Sequence, residues 1–270
     1  MRIFRFTLGA LVWILLAGVL TAQQSATPTS QSSQAVAILQ QSLGFLARGT
    51  VINDVTLSGT ARKVAGSDDE TGTVVLKALS TGEARMDSSF PSGQRSEVSN
   101  NAGSLQNAPA GQWTGPDGKT HAMSSHNLFT DPSWFFPAMT VNRWVSNPGY
   151  SVSLVGQESW NGQAVNHVTV SLLATALGDG SALIQHLSQM DIYLDSASEL
   201  PVALTFAVHP DNNALLDIPV EIRLSDYRVV NGAQVPFHVE KYLNNALYLD
   251  LRFDAVTLNT GLTVSNFQVQ

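Results

Sequence analysis

Residues 220–253 read VEIRLSDYRVVNGAQVPFHVEKYLNNALYLDLRF, and the turn at their centre decides the fold. Asn231-Gly232 is the dipeptide of a two-residue hairpin loop, in which both central residues take positive φ. Such a loop pairs Val230 with Ala233. Leu224 then faces Val239, Ile222 faces Lys241 and Val220 faces Leu243, which makes one face mostly apolar. The other face sets Glu221 against Tyr242 and Arg223 against Glu240, the second a favourable cross-strand charge pair. The next hairpin is read in the same way. A two-residue Asn244-Asn245 loop would bring Val239 opposite Asp250 and mix the faces. A three-residue loop from Leu243 to Asn245 brings Val235 opposite Phe253, Phe237 opposite Leu251 and Val239 opposite Leu249. One residue of slip inverts every side chain, so the pattern favours the longer loop. The expected product is a three-stranded antiparallel meander with one apolar and one polar face.

Two residues interrupt the apolar face near the Asn231-Gly232 turn. Asp226 and Arg228 are either rim residues in water or the polar mouth of a cavity, where Arg228 would meet a carboxylate or an anionic headgroup. On the polar face Ser225 faces His238, and His238 faces Asp250. That trio brings a nucleophilic triad to mind. It implies no oxyanion hole, and the chain has no G-x-S-x-G elbow, so a hydrogen-bonded surface row is expected.

Upstream, alternation continues in Met190-Ile192-Leu194 and in Leu200 to Val208, and Trp160-Asn161-Gly162 marks another hairpin. Val55–Leu57, Val74–Leu79 and Ala84–Met86 read as earlier strands. Before them Val36, Leu39, Leu43 and Leu46 follow helical spacing, and Gly49 stands past the helix end. Residues 99–150 read as a loop-rich insertion, with residues 177–187 a short helix or loop. Within the insertion, five aromatics fall between Phe129 and Trp144: Phe129, Trp134, Phe135, Phe136 and Trp144. Asp131-Pro132 resembles a helix start, and Pro137 limits any helix to a turn or two. This segment is read as a plug or lid over the concave side of the sheet. Trp134, Phe135, Phe136 and Trp144 join Asp226 and Arg228 as expected ligand-binding residues.

Arg2 and Arg5 precede an apolar run from Phe6 to Leu20, and Ala22 stands at the expected cleavage edge. This is the pattern of a secretory signal peptide over residues 1–22. Residues 23–34 hold only Gln, Ser, Thr, Ala and Pro and read as a flexible leader. A single β domain over residues 35–270 follows. The 270 residues carry 14 Lys and Arg against 21 Asp and Glu, net −7, which argues against a nucleic-acid partner. Removing the signal peptide leaves 12 positive and 21 negative charges, net −9. The chain has no cysteine, so disulfides, thiolate metal sites, a thiol nucleophile and a lipid anchor on cysteine are all excluded. His121 and His126, His209 and Asp211, and the Asp68-Asp69-Glu70 cluster match no metal-ligand spacing. No metal, cofactor or catalytic residue is expected.

Ile192-Tyr193-Leu194-Asp195 with Leu200-Pro201-Val202, the run Glu221 to Arg228, Asn231-Gly232 with Val235-Pro236-Phe237, and the closing Asn259, Gly261, Leu262 and Phe267 together resemble the LolA-like superfamily. That superfamily comprises periplasmic lipoprotein carriers and lipid-binding proteins. The resemblance is specific from about residue 190 onward. It implies a mainly β fold: a strongly curved antiparallel half-open barrel with a helical or loop lid. It also implies an exported, non-enzymatic protein of the periplasm that holds a hydrophobic ligand (an acyl chain, a lipid or a lipoprotein) in the concave side of its sheet. A second reading of the same residues is an envelope protein–protein interaction or sensor module whose barrel interior is only a packed core. Neither reading spans a membrane once the signal segment is removed.

Overall fold

The computed structural model describes residues 28–100, 109–173 and 180–268. The expected signal peptide, the first residues of the leader and residues 101–108 of the expected insertion lie outside these. The chain is mainly β, with three α-helices and thirteen strands among the described residues. All thirteen strands join one antiparallel sheet. Helix α1 (Pro28–Ala47) comes first, beginning inside the expected leader. Then β1 (Asp54–Ala65), β2 (Asp68–Leu79), β3 (Glu83–Phe90), β4 (Gly93–Asn100), β5 (Ala110–Thr114) and β6 (Thr120–Ala122) step outward to one edge. Helix α2 (Pro137–Ser146) carries the chain to the opposite edge. From there β7 (Tyr150–Trp160), β8 (Gln163–Leu172), β9 (Met190–Asp195), β10 (Pro201–Val208), β11 (Ile218–Val230), β12 (Ala233–Leu243) and β13 (Ala246–Leu258) step back, and β13 pairs with β1. Helix α3 (Ser181–Ser188) lies between β8 and β9. Strands β6 and β7 do not pair with each other, so the curved sheet is an open half-barrel.

The Asn231-Gly232 hairpin has the expected register: Val230 pairs with Ala233, Leu224 with Val239 and Val220 with Leu243. Both turn residues take positive φ, 48° and 91°. The next hairpin corrects the expectation. Its loop is the two-residue Asn244-Asn245, with φ of 49° and 63°, and Leu243 pairs with Ala246. Tyr248 is then an extra residue opposite the step from Tyr242 to Lys241, and beyond it Val239 pairs with Leu251. A bulge inserts one residue and so restores the face that the short loop would have inverted. The apolar face is therefore as read, while each partner is displaced by two residues. A second bulge lies in β13, where Asp254 is the extra residue opposite the step from Ser58 to Gly59 of β1. A Cβ on Gly59 would stand 2.0 Å from the Arg252 carbonyl oxygen, so β13 can approach there only because the residue is glycine.

Helix α1 buries Ala35, Leu39, Ser42 and Leu46, one stripe at helical spacing, and ends in the left-handed Arg48 and Gly49. It packs against α2, β7 and β12. Pro137 does not cut a helix short. It opens α2 at the first turn, where a missing N–H forfeits no bond, and nine more helical residues follow. Asp131 does not cap a helix either. It is buried and accepts Arg143 Nη1 at 2.6 Å and the Ser133 hydroxyl at 2.6 Å, which pins the connection before α2 to the helix itself.

Candidate functional site

Side chains on the concave face are sealed at one end and open at the other. Phe135, Phe136 and Trp144 are 2%, 0% and 2% exposed, packed with Leu39, Leu46, Met139 and Ile222 in the main core. They fill the concavity between α1, α2 and the returning strands. At the other end, a cavity of about 320 Å³ is lined by Ala61, Val74, Met86, Phe90, Tyr248 and Leu251. Its volume falls in the usual range for small-molecule pockets, about 300–1,000 Å³. These residues come from β1, β2, β3 and β13, each presenting alternate side chains inward.

Charge is placed on the walls in pairs. Lys63 Nζ lies 2.9 Å from Glu70 and over the Phe90 ring, and Arg95 Nε lies 2.5 Å from Glu97. The Arg95 guanidinium also stacks on Trp113, 3.9 Å from its centroid, and Trp113 stacks on His121. Glu97 lines this cavity and also a second one of about 260 Å³, which is bounded by Trp134, Leu128, Phe206 and Lys241. Lys241 Nζ sits 4.9 Å over the Trp134 ring. Among the described residues it has no ion pair or hydrogen bond. Burial pushes the Lys241 ammonium below the usual lysine range, and the charge of Glu97 only partly opposes this. A cation with no ion pair among the described residues can receive an anionic group without first breaking an existing pair, although Glu97 and Asp131 share its cavity.

The structure separates the six expected ligand-binding residues. Trp134 alone lines a cavity wall. Phe135, Phe136 and Trp144 belong to the packed core. Asp226 and Arg228 lie at the exposed end of β11 and bind each other, Arg228 Nη2 to Asp226 Oδ2 at 2.6 Å, with the guanidinium over Phe237. Asp226 takes φ of 53°, a left-handed kink in the strand. Each of these partners holds the other's pKa toward the charged state. Lys241 was in view in the sequence, in the apolar row Val235-Phe237-Val239-Lys241, and an ionisable side chain at an inward register position was the signal that could have found it.

The Ser225–His238–Asp250 row is real. Ser225 Oγ lies 3.1 Å from His238 Nδ1, and His238 Nε2 lies 2.9 Å from Asp250 Oδ1. It crosses three strands on the convex face, away from both concave cavities, and Asp250 also receives Arg252 Nη2 at 3.4 Å. The residues that carried the family resemblance are architectural. Tyr227 donates its hydroxyl hydrogen to the Pro201 carbonyl at 2.7 Å, and Asp195 Oδ1 accepts the backbone N–H of Ser198 at 2.6 Å. The Asn259 side chain binds the backbone of both Val51 and Asn53, and Phe267 packs on Leu79 and Val98.

No protein-family model matches this sequence, and no curated protein matches it significantly. Solved structures do match its fold. A domain from Vibrio parahaemolyticus described as an outer membrane lipoprotein-sorting protein is 14% identical, with a TM-score of 0.57 over 87% of this chain and 97% of that one. A DUF1329 family protein from Desulfovibrio piger is 10% identical, with a TM-score of 0.57 over 88% and 97%. The LolA superfamily protein NE2245 from Nitrosomonas europaea is 10% identical, with a TM-score of 0.54 over 87% and 97%. Three structures of nearly the same extent thus share one architecture with this chain, and its fold is LolA-like.

Proposed function

We propose that this protein is an exported binding protein of the cell envelope, resident in the periplasm, that holds an acyl chain in the open end of its concave face. The observation that carries the reading is the cavity walled by Ala61, Val74, Met86, Phe90, Tyr248 and Leu251, which shares Glu97 with the cavity of Lys241, a lysine without an ion pair among the described residues. Apolar walls take the chain, and the ammonium takes a carboxylate or other anionic headgroup. Trp134 forms the floor under that headgroup. The lipoprotein-sorting description of the Vibrio domain supports lipid or lipoprotein as the ligand class. Arg2, Arg5 and the apolar run to Leu20 support export with cleavage near Ala22. No helix among the described residues is long and apolar enough to cross a membrane.

The protein acts by binding, without catalysis. The Ser225 row supports this, because it faces away from the cavities that would hold a substrate. Mass spectrometry of organic extracts from the natively purified protein tests the reading. Stoichiometric acyl lipid, exchangeable for a fluorescent fatty acid, is the expected result. No co-purifying lipid together with no uptake of the fatty acid would overturn it.

A further inference from the structure

At the far end of β10 and β11, three side chains distant in sequence converge. His186 stands in the last turn of α3, His209 follows β10, and Asp217 precedes β11. His186 Nε2 lies 2.9 Å from Asp217 Oδ1, and His209 Nε2 lies 3.0 Å from the same oxygen. All three ligand atoms fall within 4.8 Å of one another. His209 is 4% exposed, whereas His186 and Asp217 face solvent.

Asn127 fixes the hydrogen on His209. The Asn127 amide is itself oriented by backbone: its Oδ1 accepts the His209 N–H at 2.7 Å, and its Nδ2 donates to the His209 carbonyl at 2.8 Å. His209 Nδ1 lies 3.3 Å from that same Oδ1, an acceptor, so Nδ1 carries the hydrogen. In the neutral ring, Nε2 then directs its lone pair at a carboxylate oxygen 3.0 Å away. Two lone pairs facing each other need a cation between them. A second proton on His209 would also meet the need, with neutral His186 donating from Nε2 to the same carboxylate. One divalent ion satisfies both neutral rings and the carboxylate together. A side chain that holds the opposite ring nitrogen of a histidine is also the usual support of a metal-bound imidazole.

We propose that His186, His209 and Asp217 bind a divalent transition-metal ion of the zinc class. The ligand set of two imidazoles and one carboxylate suits such an ion. His186 and Asp217 line a cavity of about 390 Å³, which leaves room for solvent or a further ligand on the ion. The site adjoins the proposed headgroup position, because His209 and Asn127 also line the cavity of Lys241, and metal titration in the absence of any acyl ligand tests it separately from that reading.

Zinc and cobalt titrations of the untagged chain test this. Calorimetry with Zn²⁺ should give one ion per chain, and Co²⁺ should give visible absorption bands of a low-coordinate site. His186→Ala and Asp217→Asn should each weaken binding at least tenfold. Both residues are solvent-facing, and unchanged circular dichroism would show that these variants fold. His238→Ala, in the other His and carboxylate cluster, should leave the affinity unchanged. Absence of stoichiometric binding by the wild type, retained affinity in both ligand variants, or loss of binding in His238→Ala would each overturn the proposal.

Discussion

Two methionines mark the contrast within the concave face. Met139, on α2, is 3% exposed and packed in the main core, with one side on a separate cavity between α1 and α2, whereas Met86, on β3, is half-buried in the wall of the open-end cavity. Strands such as β12 have one apolar face, whereas β4, beside β3, carries a single apolar side chain, Val98. A second difference lies in what covers them. Helices α1 and α2 pack on β7 and β12, and Phe135, Phe136 and Trp144 fill the remaining space. The outward run from β3 to β5 has few fully buried residues, and charged pairs such as Arg95 with Glu97 stand on its inner wall. One end is therefore a core that stabilises the domain, and the other is a cavity walled by half-buried and charged side chains.

The contrast can be broken most forcefully where the two ends meet. Leu251 is 0% exposed, and Leu251→Asp would place a carboxylate with no partner in the apolar layer. The expected loss exceeds about 5 kcal/mol, enough to unfold a typical domain. A thermal melt matching the wild type would show that Leu251 does not face inward. Arg143→Met comes next, because it strands the buried Asp131 carboxylate. Removing one partner of a buried pair costs about 3–5 kcal/mol, and a loss under about 1 kcal/mol by urea denaturation would show the pair to be solvated.

A matched pair of truncations sharpens the comparison. Phe136→Ala in the packed end should cost about 3–5 kcal/mol. Phe90→Ala at the cavity wall should cost far less, since the half-buried ring has neighbours on only one side. Equal losses would mean that the two ends are equally packed. Asp54 adds a pH dependence to the shared seam. Burial raises its carboxyl pKa, but the N–H groups of Thr260, Gly261 and Leu262 and the Thr260 hydroxyl outweigh this and hold it below the usual range. The unfolded carboxyl titrates near about 3.9. Its stabilisation is therefore full above that pH and is lost as pH falls through the lower folded value. Asp54→Asn should flatten the acid limb of stability measured by urea midpoints, and an unchanged acid limb would remove Asp54 from the account. The smallest expected effect on stability is that of Lys241→Gln. It should leave the melt near wild type while weakening fatty-acid binding about tenfold, a loss of about 1.4 kcal/mol. In the wild type, that affinity should fall as pH rises through the lowered Lys241 value. Unchanged affinity in the variant would exclude Lys241 from the site.

The sequence revealed the sheet better than it revealed the site, for reasons visible in single residues. Asn231-Gly232 has one easy conformation, so its hairpin could be paired residue by residue. Asn244-Asn245 adopts the same kind of turn, but the correction for its length lies at Tyr248, where no local signal marks a bulge. Alternation shows which face a residue takes, and it placed Lys241 inward. It does not show whether a helix covers that face, so aromatics of the packed core were grouped with the cavity. Arg228 reads as a receptor for an anion until the left-handed turn at Asp226 brings its own carboxylate beside it. The histidine cluster was hidden by distance, since its members come from α3, the end of β10 and the start of β11 and no local spacing joins them.

Methionine-methyl NMR during a titration with fatty acid tests the central claim most directly. An acyl chain in the open end should shift the Met86 methyl resonance and leave those of Met139 and Met190 in place. Movement of Met139 without Met86, or no movement of any methionine at saturating ligand, would contradict the assignment of the ligand site to the open end of the concave face.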